Sequence, residues 1–188
     1  MLGAVVGDIV GSVWEFSYQK DEFKNEDLIT DTHEITDDSV LSCATAFALL
    51  EGDYDFREHY YQFAKKCPII MGGYGSGFVS WLADDEEREP YNSCGNGSAM
   101  RVSPIGWYAQ TQEQAYDLAR QSAEVTHNHT EGIKGAQAVA LAIFWIRQGA
   151  DKQTLKKSIE SEFGYNLDFN LFKLWKDYQF QAICQETV

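Results

Sequence analysis

The stretch 36–50 constrains this chain most: the polar tetrad Thr36-Asp37-Asp38-Ser39 runs straight into residues 40–50, which are mostly Val, Leu, Ala and Phe. Thr36 has the chemistry of an N-cap, because its hydroxyl can accept from an orphan backbone N–H. The two carboxylates of the first turn sit at the favourable end of the helix dipole. So far this is ordinary helix chemistry. The same side chains can also aim oxygens at one point beyond the helix start, and an all-oxygen donor set suits Mg²⁺ or Ca²⁺.

The rest of the composition points to helices. Only three prolines interrupt 188 residues, of which 44% are apolar, and alternating strand patterns are scarce. The expectation is an all-α, compact helical bundle, one domain over residues 1–188 with a real core. Fifteen basic against twenty-nine acidic residues give a net charge of −14, which repels phosphate backbones and anionic membranes. Any anionic ligand must then be met by local donors. The chain has no apolar run of spanning length and no signal-peptide pattern, so a cytoplasmic location is expected. Cys43, Cys67, Cys94 and Cys184 are far apart without a CxxC pair, so reduced thiols are expected.

In chain order, Gly3, Gly7 and Gly11 recur every four residues in a helical stretch, a stripe that predicts another backbone passing close by. Asp8, between them, is expected to satisfy nearby donors, and Glu15 to stand at or just past the helix end. The polar residues Lys20 to Glu34 have the length of a lid loop. Helical spacing follows over Tyr54 to Lys66, closed by Pro68, and over Phe78 to Leu82. The loop Gly72 to Gly77 before that second helix either turns the chain or presents N–H groups to an anion. Asn92 to Arg101 is a second loop of the same kind, with Arg101 as a further donor or half of a structural ion pair. Gln112 to Glu124 is predicted as a helix, as is the small-residue run opened by Thr130-Glu131, which reads as core. His127 and His129 lack a third ligand nearby, which favours one of them as a ligand-facing hydrogen-bond donor over a transition-metal pair. Lys152 to Ser161 is a last amphipathic helix, and residues 164–188 show no clear period.

Taken in order, five pieces resemble the ADP-ribosylglycohydrolase family, which includes the dinitrogenase reductase-activating glycohydrolases and the ADP-ribosylarginine and ADP-ribosylserine hydrolases. They are Gly3-x3-Gly7-Asp8-x2-Gly11-x3-Glu15, the tetrad, Gly73-Tyr74-Gly75-x-Gly77, Gly95-Asn96-Gly97-x-Ala99-Met100-Arg101 with Ser93 before it, and Thr126-His127. The resemblance implies an all-α orthogonal bundle and a Mg²⁺-dependent hydrolase that cleaves the glycosidic bond between ADP-ribose and a modified side chain or small acceptor. By resemblance, Thr36, Asp37 and Asp38 are ligands of a site for two Mg²⁺ ions, and Glu15 is the acidic residue beside the scissile bond, with Asp37 and Asp38 also part of the catalytic set. Gly75, Ser76, Gly77, Phe78, Asn92, Ser93, Cys94, Gly95, Asn96, Gly97 and His127 would hold the ADP-ribose.

The family's second acidic motif, Asp-x-Asp-Ser/Thr, is missing, and Asp168-Phe169-Asn170 does not replace it. The chain is therefore read as C-terminally incomplete, with an apolar face open to self-association or to a partner fragment. Two other readings follow from the same residues: a catalytically impaired ADP-ribose-binding module, or a structural, crystallin-like protein. The acceptor is not specified by any motif.

Overall fold

The computed structural model describes residues 2–15, 29–84, 87–177 and 181–187. The lid expected within Lys20 to Glu34 falls largely outside the described residues. The chain divides into two compact units, Met1–Glu89 and Pro90–Val188. Among the described residues the secondary structure is helical apart from one isolated antiparallel bridge, Gly95 to Ile183, so the all-α expectation holds.

In the first unit α1 (Leu2–Gly11) passes into a 3₁₀ turn (Ser12–Trp14), followed by α2 (Asp37–Glu51), α3 (Phe56–Lys66) and α4 (Ser76–Ala83). Thr36 is the N-cap of α2, its hydroxyl accepting from Asp38 N–H at 3.2 Å. Gly52 ends the helix with φ +76°, the left-handed conformation that a C-cap glycine adopts without strain. Helices α2 and α3 pack together. Between them the buried Thr45 hydroxyl meets Tyr60 Oη at 2.9 Å, and the Phe47 and Phe63 rings lie 5.1 Å apart.

Among the described residues the glycine stripe of α1 does not meet the close backbone that its spacing predicts. No described atom lies within 4 Å of a Cβ built on Gly3, Gly7 or Gly11, and all three are exposed. The face that meets other chain carries Asp8 and Ser12 instead, which bond the segment leading into α2. Hydrogen bonding to the α2 cap therefore sets the roll of α1 about its axis, and the stripe is turned away.

In the second unit a 3₁₀ turn (Asn96–Ser98) precedes α5 (Ser103–Tyr108), α6 (Gln112–Glu124), α7 (Thr130–Arg147), α8 (Lys152–Phe163), α9 (Leu171–Asp177) and α10 (Cys184–Thr187). Helix α7 is the hub, packed against α5, α6, α8 and α10. Its buried Ala138, Leu141 and Phe144 join Ala109, Ala115, Ile159 and Phe163 in one cluster. The small residues of α7 allow these close crossings. Helix α8 runs two residues beyond the expected Ser161, because Phe163 is buried and Gly164, at φ +69°, caps it. Helices α5, α9 and α10 were not expected: each is shorter than two full turns or little more, too short to display a period.

A Cβ on Gly106 of α5 would stand 2.6 Å from both Ala140 O and Ile143 Cβ of α7. Gly106→Ala should therefore destabilise the fold by about 1–3 kcal/mol through overpacking. Urea unfolding checks this, with the neighbouring exposed Trp107→Ala as a milder control.

Candidate functional site

The first unit brings Asp8, Glu15, Asp37 and Asp38 together at the head of α2. Asp8 Oδ2 accepts from Thr36 N–H (3.0 Å) and Ser39 N–H (3.2 Å), and Oδ1 accepts from the Thr36 hydroxyl (2.6 Å). The expectation that Asp8 satisfies donors is met, and those donors belong to the tetrad itself. Glu15 follows the 3₁₀ turn, its N–H donating to Ser12 O at 3.4 Å. Its carboxylate lies over Gly72: a Cβ there would be 2.6 Å from Glu15 Oε2. Gly72 also has φ +74°, so this position favours glycine on both counts.

The electrostatics follow from the crowding. Partial burial, then Asp38 and Glu15, raise the Asp37 carboxyl to about 7. Burial, then Asp8, raise Asp38 to about 6. Glu15 is raised by burial and by the charges of Asp38 and Asp8. The Ser39 hydroxyl, in the same turn, is buried without a partner among the described residues. Hard oxygen donors that oppose one another's ionisation fit a hard divalent cation such as Mg²⁺, which would neutralise the carboxylates and hold them ionised.

The second glycine-bearing piece leads into α4. Gly75 caps α4 without a side-chain bond, and Ser76 is exposed. Phe78 is buried, its ring stacked 5.2 Å from Trp81 and tilted against Tyr74 at 5.5 Å. Tyr74 was not singled out from sequence. Its hydroxyl donates to Cys67 O at 2.9 Å, and burial, then Cys67 and Asp37, push its phenol well above the ordinary value.

Within the second unit, Arg101 is fully buried and donates through Nη2 to Ser122 O (2.7 Å) and Thr126 Oγ1 (2.9 Å). Thr126 Oγ1 lies 2.7 Å from His127 Nδ1. After accepting from Arg101, the Thr126 hydroxyl keeps one proton and one lone pair for this contact, so either atom can be its donor. Burial and the Arg101 charge lower His127 to about 3, so the ring is neutral. Cβ atoms on Gly95 and Gly97 would lie 3.5 and 3.1 Å from Nε2, so these glycines let the loop approach the ring. His129 does something else: it caps α7, Nδ1 accepting from Glu131 N–H at 3.1 Å.

Several of the loop's own N–H groups are already engaged. Asn92 N–H donates to Asn128 Oδ1 (2.7 Å), Gly95 N–H to Ser93 Oγ (3.0 Å) and Asn96 N–H to Ala182 O (2.9 Å). The Cys94 carbonyl in turn accepts from Cys184 N–H at 3.0 Å. Residues 182–184 thus pair along the loop, a tie that aperiodic sequence gives no means of anticipating. All four cysteines are free thiols.

A separate group of possible ligand atoms, from Glu51, Asp53 and His59, gathers at the opposite end of α2, all within 4.8 Å of one another. His59 Nδ1 bonds Asp55 O at 2.8 Å, and Nε2 meets Glu51 Oε2 at 3.2 Å. Glu51 and Asp53 are exposed, and the group is explained by capping and ion pairing.

The raised carboxyls give a pH dependence whose sign can be worked out. Without divalent cations, the folded chain keeps protons on Asp37 and Asp38 up to about 7 and about 6, whereas the unfolded chain releases them near the ordinary aspartate value. The folded state therefore binds more protons across that window, and stability falls as pH rises through it. Asp37→Asn/Asp38→Asn should gain about 1–3 kcal/mol at about pH 7.5 in chelator and little at about pH 4. Urea unfolding at the two pH values checks it.

The chain resembles known proteins over most of its length. A sequence model of the ADP-ribosylglycohydrolase family matches residues 1–179. The mouse protein ADP-ribosylhydrolase ARH3 (Mus musculus) is 29% identical over an alignment covering 79% of this chain and 48% of that protein. Its human counterpart (Homo sapiens) is also 29% identical, over 79% and 49%. ADP-ribosylarginine hydrolase Tri1 of Pseudomonas putida (strain GB-1) is 25% identical over 86% of this chain and 49% of its own. The chain spans about half the length of the curated relatives it matches. With its all-α structure and its tetrad at the head of α2, this chain belongs to the ADP-ribosylglycohydrolase family.

Proposed function

We infer that this chain carries the tetrad half of a Mg²⁺-dependent ADP-ribosyl hydrolase site, acting on an ADP-ribosylated side chain or small acceptor. The observation that carries this reading is the gathering of Glu15, Asp37 and Asp38 around a capped helix start, in a family whose relatives are named as ADP-ribosyl hydrolases. Thr36, Asp37 and Asp38 would hold the cation. Mg²⁺, when bound there, supplies charge neutralisation, orientation of the ribose hydroxyls and polarisation of the reacting centre.

The remaining steps belong to the chain's own groups. Cleavage at the anomeric carbon passes through an oxocarbenium-like state and needs a base to take a proton from the attacking water. Glu15 suits that task, because its carboxyl is raised toward neutrality and its position over Gly72 leaves it partly exposed. The ligand-holding roles implied for Gly75 to Phe78 and, in the second unit, for Asn92 to Gly97 and His127 are kept in this reading. Neutral His127 would offer an uncharged ring nitrogen for a hydrogen bond to the ligand.

The test is release of free ADP-ribose from ADP-ribosyl-arginine by this chain, with Mg²⁺ and with chelator. Release should require Mg²⁺ and disappear in Asp37→Ala/Asp38→Ala. Glu15→Gln should keep ADP-ribose affinity and slow turnover by roughly 10²–10⁴-fold. Chelator-resistant release that survives in the double variant contradicts the reading. ADP-ribose binding without release from arginine- or serine-linked substrate favours the binding-module alternative.

A further inference from the structure

Asp8 is placed by three hydrogen bonds, and their polarity carries a consequence for Thr36. The Asp8 carboxylate receives donors only: Thr36 N–H and Ser39 N–H at Oδ2, the Thr36 hydroxyl at Oδ1. A carboxylate meets this demand because it has acceptor sites and no proton of its own. The Thr36 hydroxyl has one proton and two lone pairs. Its 2.6 Å bond to Asp8 has the length of a charge-assisted O–H···O⁻ bond, whereas Asp38 Oδ2 stands farther off at 3.4 Å. The proton therefore belongs to the Asp8 bond. One lone pair accepts Asp38 N–H, and the other has no donor among the described residues. Thr36 Oγ1 and Asp38 Oδ2 are then two acceptor oxygens 3.4 Å apart with no proton between them.

We propose that Asp8 is a positioning residue for the cation site: by holding the Thr36 proton it leaves a hydroxyl lone pair free beside Asp38 and makes Thr36 a ligand. The proposal rests on the cation reading of the tetrad given above. It assigns Asp8 no contact with substrate and no proton transfer. It also explains why the first helix carries an acid into a region already crowded with carboxylates: the charge costs repulsion at Asp38, and the return is a fixed hydroxyl polarity.

Asparagine at position 8 separates this role from a merely structural one. With its oxygen in place of Oδ2, the amide keeps both backbone bonds. Its NH₂ group then faces Thr36 Oγ1 and donates to it. That takes the spare lone pair, and the hydroxyl proton is left for Asp38 Oδ2. Asp8→Asn thus preserves the hydrogen-bond number at the joint and reverses the hydroxyl.

The experiment is Mn²⁺ binding to the full chain, followed by electron paramagnetic resonance in the absence of any nucleotide, combined in a double-mutant cycle. Asp8→Asn should weaken Mn²⁺ roughly 10–100-fold, the usual effect of removing a group that orients a ligand, with the thermal unfolding transition retained. Thr36→Val should weaken it comparably, and Thr36→Ser should not. On the Thr36→Val background, Asp8→Asn should cost no more than about threefold, the part due to lost charge alone. Full Mn²⁺ affinity in Asp8→Asn, or an undiminished Asp8→Asn effect on the Thr36→Val background, overturns the proposal and leaves the cation reading standing. No Mn²⁺ binding by the unmodified chain overturns both. Should Asp8→Asn not fold, proton NMR of the unmodified chain decides: the Thr36 hydroxyl proton should exchange slowly and persist when Mg²⁺ is added, and its loss or absence refutes the role.

Discussion

Three hydrogen bonds into one carboxylate join α1 to the head of α2, and the chemistry of the first unit depends on that joint. Through it the Thr36 cap is held from both sides, by Asp8 and by Asp38 N–H. The joint also fixes which face of α1 meets the rest of the unit. The cost is electrostatic: Asp8 adds a further negative charge beside Asp37, Asp38 and Glu15. Proteins tolerate such crowding when a cation or a proton relieves it. In the proposed site, the repulsion that keeps protons on Asp37 and Asp38 would equally favour a cation that displaces them.

The second unit solves the opposite problem, that of burying a positive charge. Arg101 is fully buried and placed against a backbone carbonyl and a hydroxyl. Burial, helped by that charge, keeps His127 neutral, and the Thr126 hydroxyl lies within hydrogen-bond distance of both. The loop Asn92 to Gly97 is tied down in turn, with N–H groups donating to Asn128, Ser93 and Ala182. Such a loop offers fixed shape and a few oriented donors more than an open row of amides. In a chain of net charge −14, that is a local way to accept a polar ligand.

Much of this was legible in the sequence, for identifiable reasons. The cap at Thr36, the helix over Gln112 to Glu124 and the buried run after Thr130 were visible because capping chemistry and apolar spacing act locally. Asp8 was recognisable as a donor-satisfying acid, but its partners, twenty-eight and thirty-one residues away, were not. The Gly3, Gly7 and Gly11 stripe misled because spacing reports a smooth face without reporting whether anything lies against it. Gly72 and Tyr74 escaped notice as site residues: Glu15 lies over Gly72 and the Asp37 charge reaches Tyr74, which are tertiary facts. The short helices α9 and α10 and the pairing of Ala182 to Cys184 with the glycine loop carry no periodic signal at all.

The central claim is that crowded carboxylates at the head of α2 await a hard cation. It is tested most directly by following the Asp37 and Asp38 side-chain carboxyl carbons by ¹³C NMR as a function of pH, with chelator and then with Mg²⁺. The account predicts apparent midpoints near 7 and near 6 without cation, both moving to lower pH when Mg²⁺ is added. Two carboxyls that titrate at the ordinary aspartate value, and ignore Mg²⁺, would contradict it.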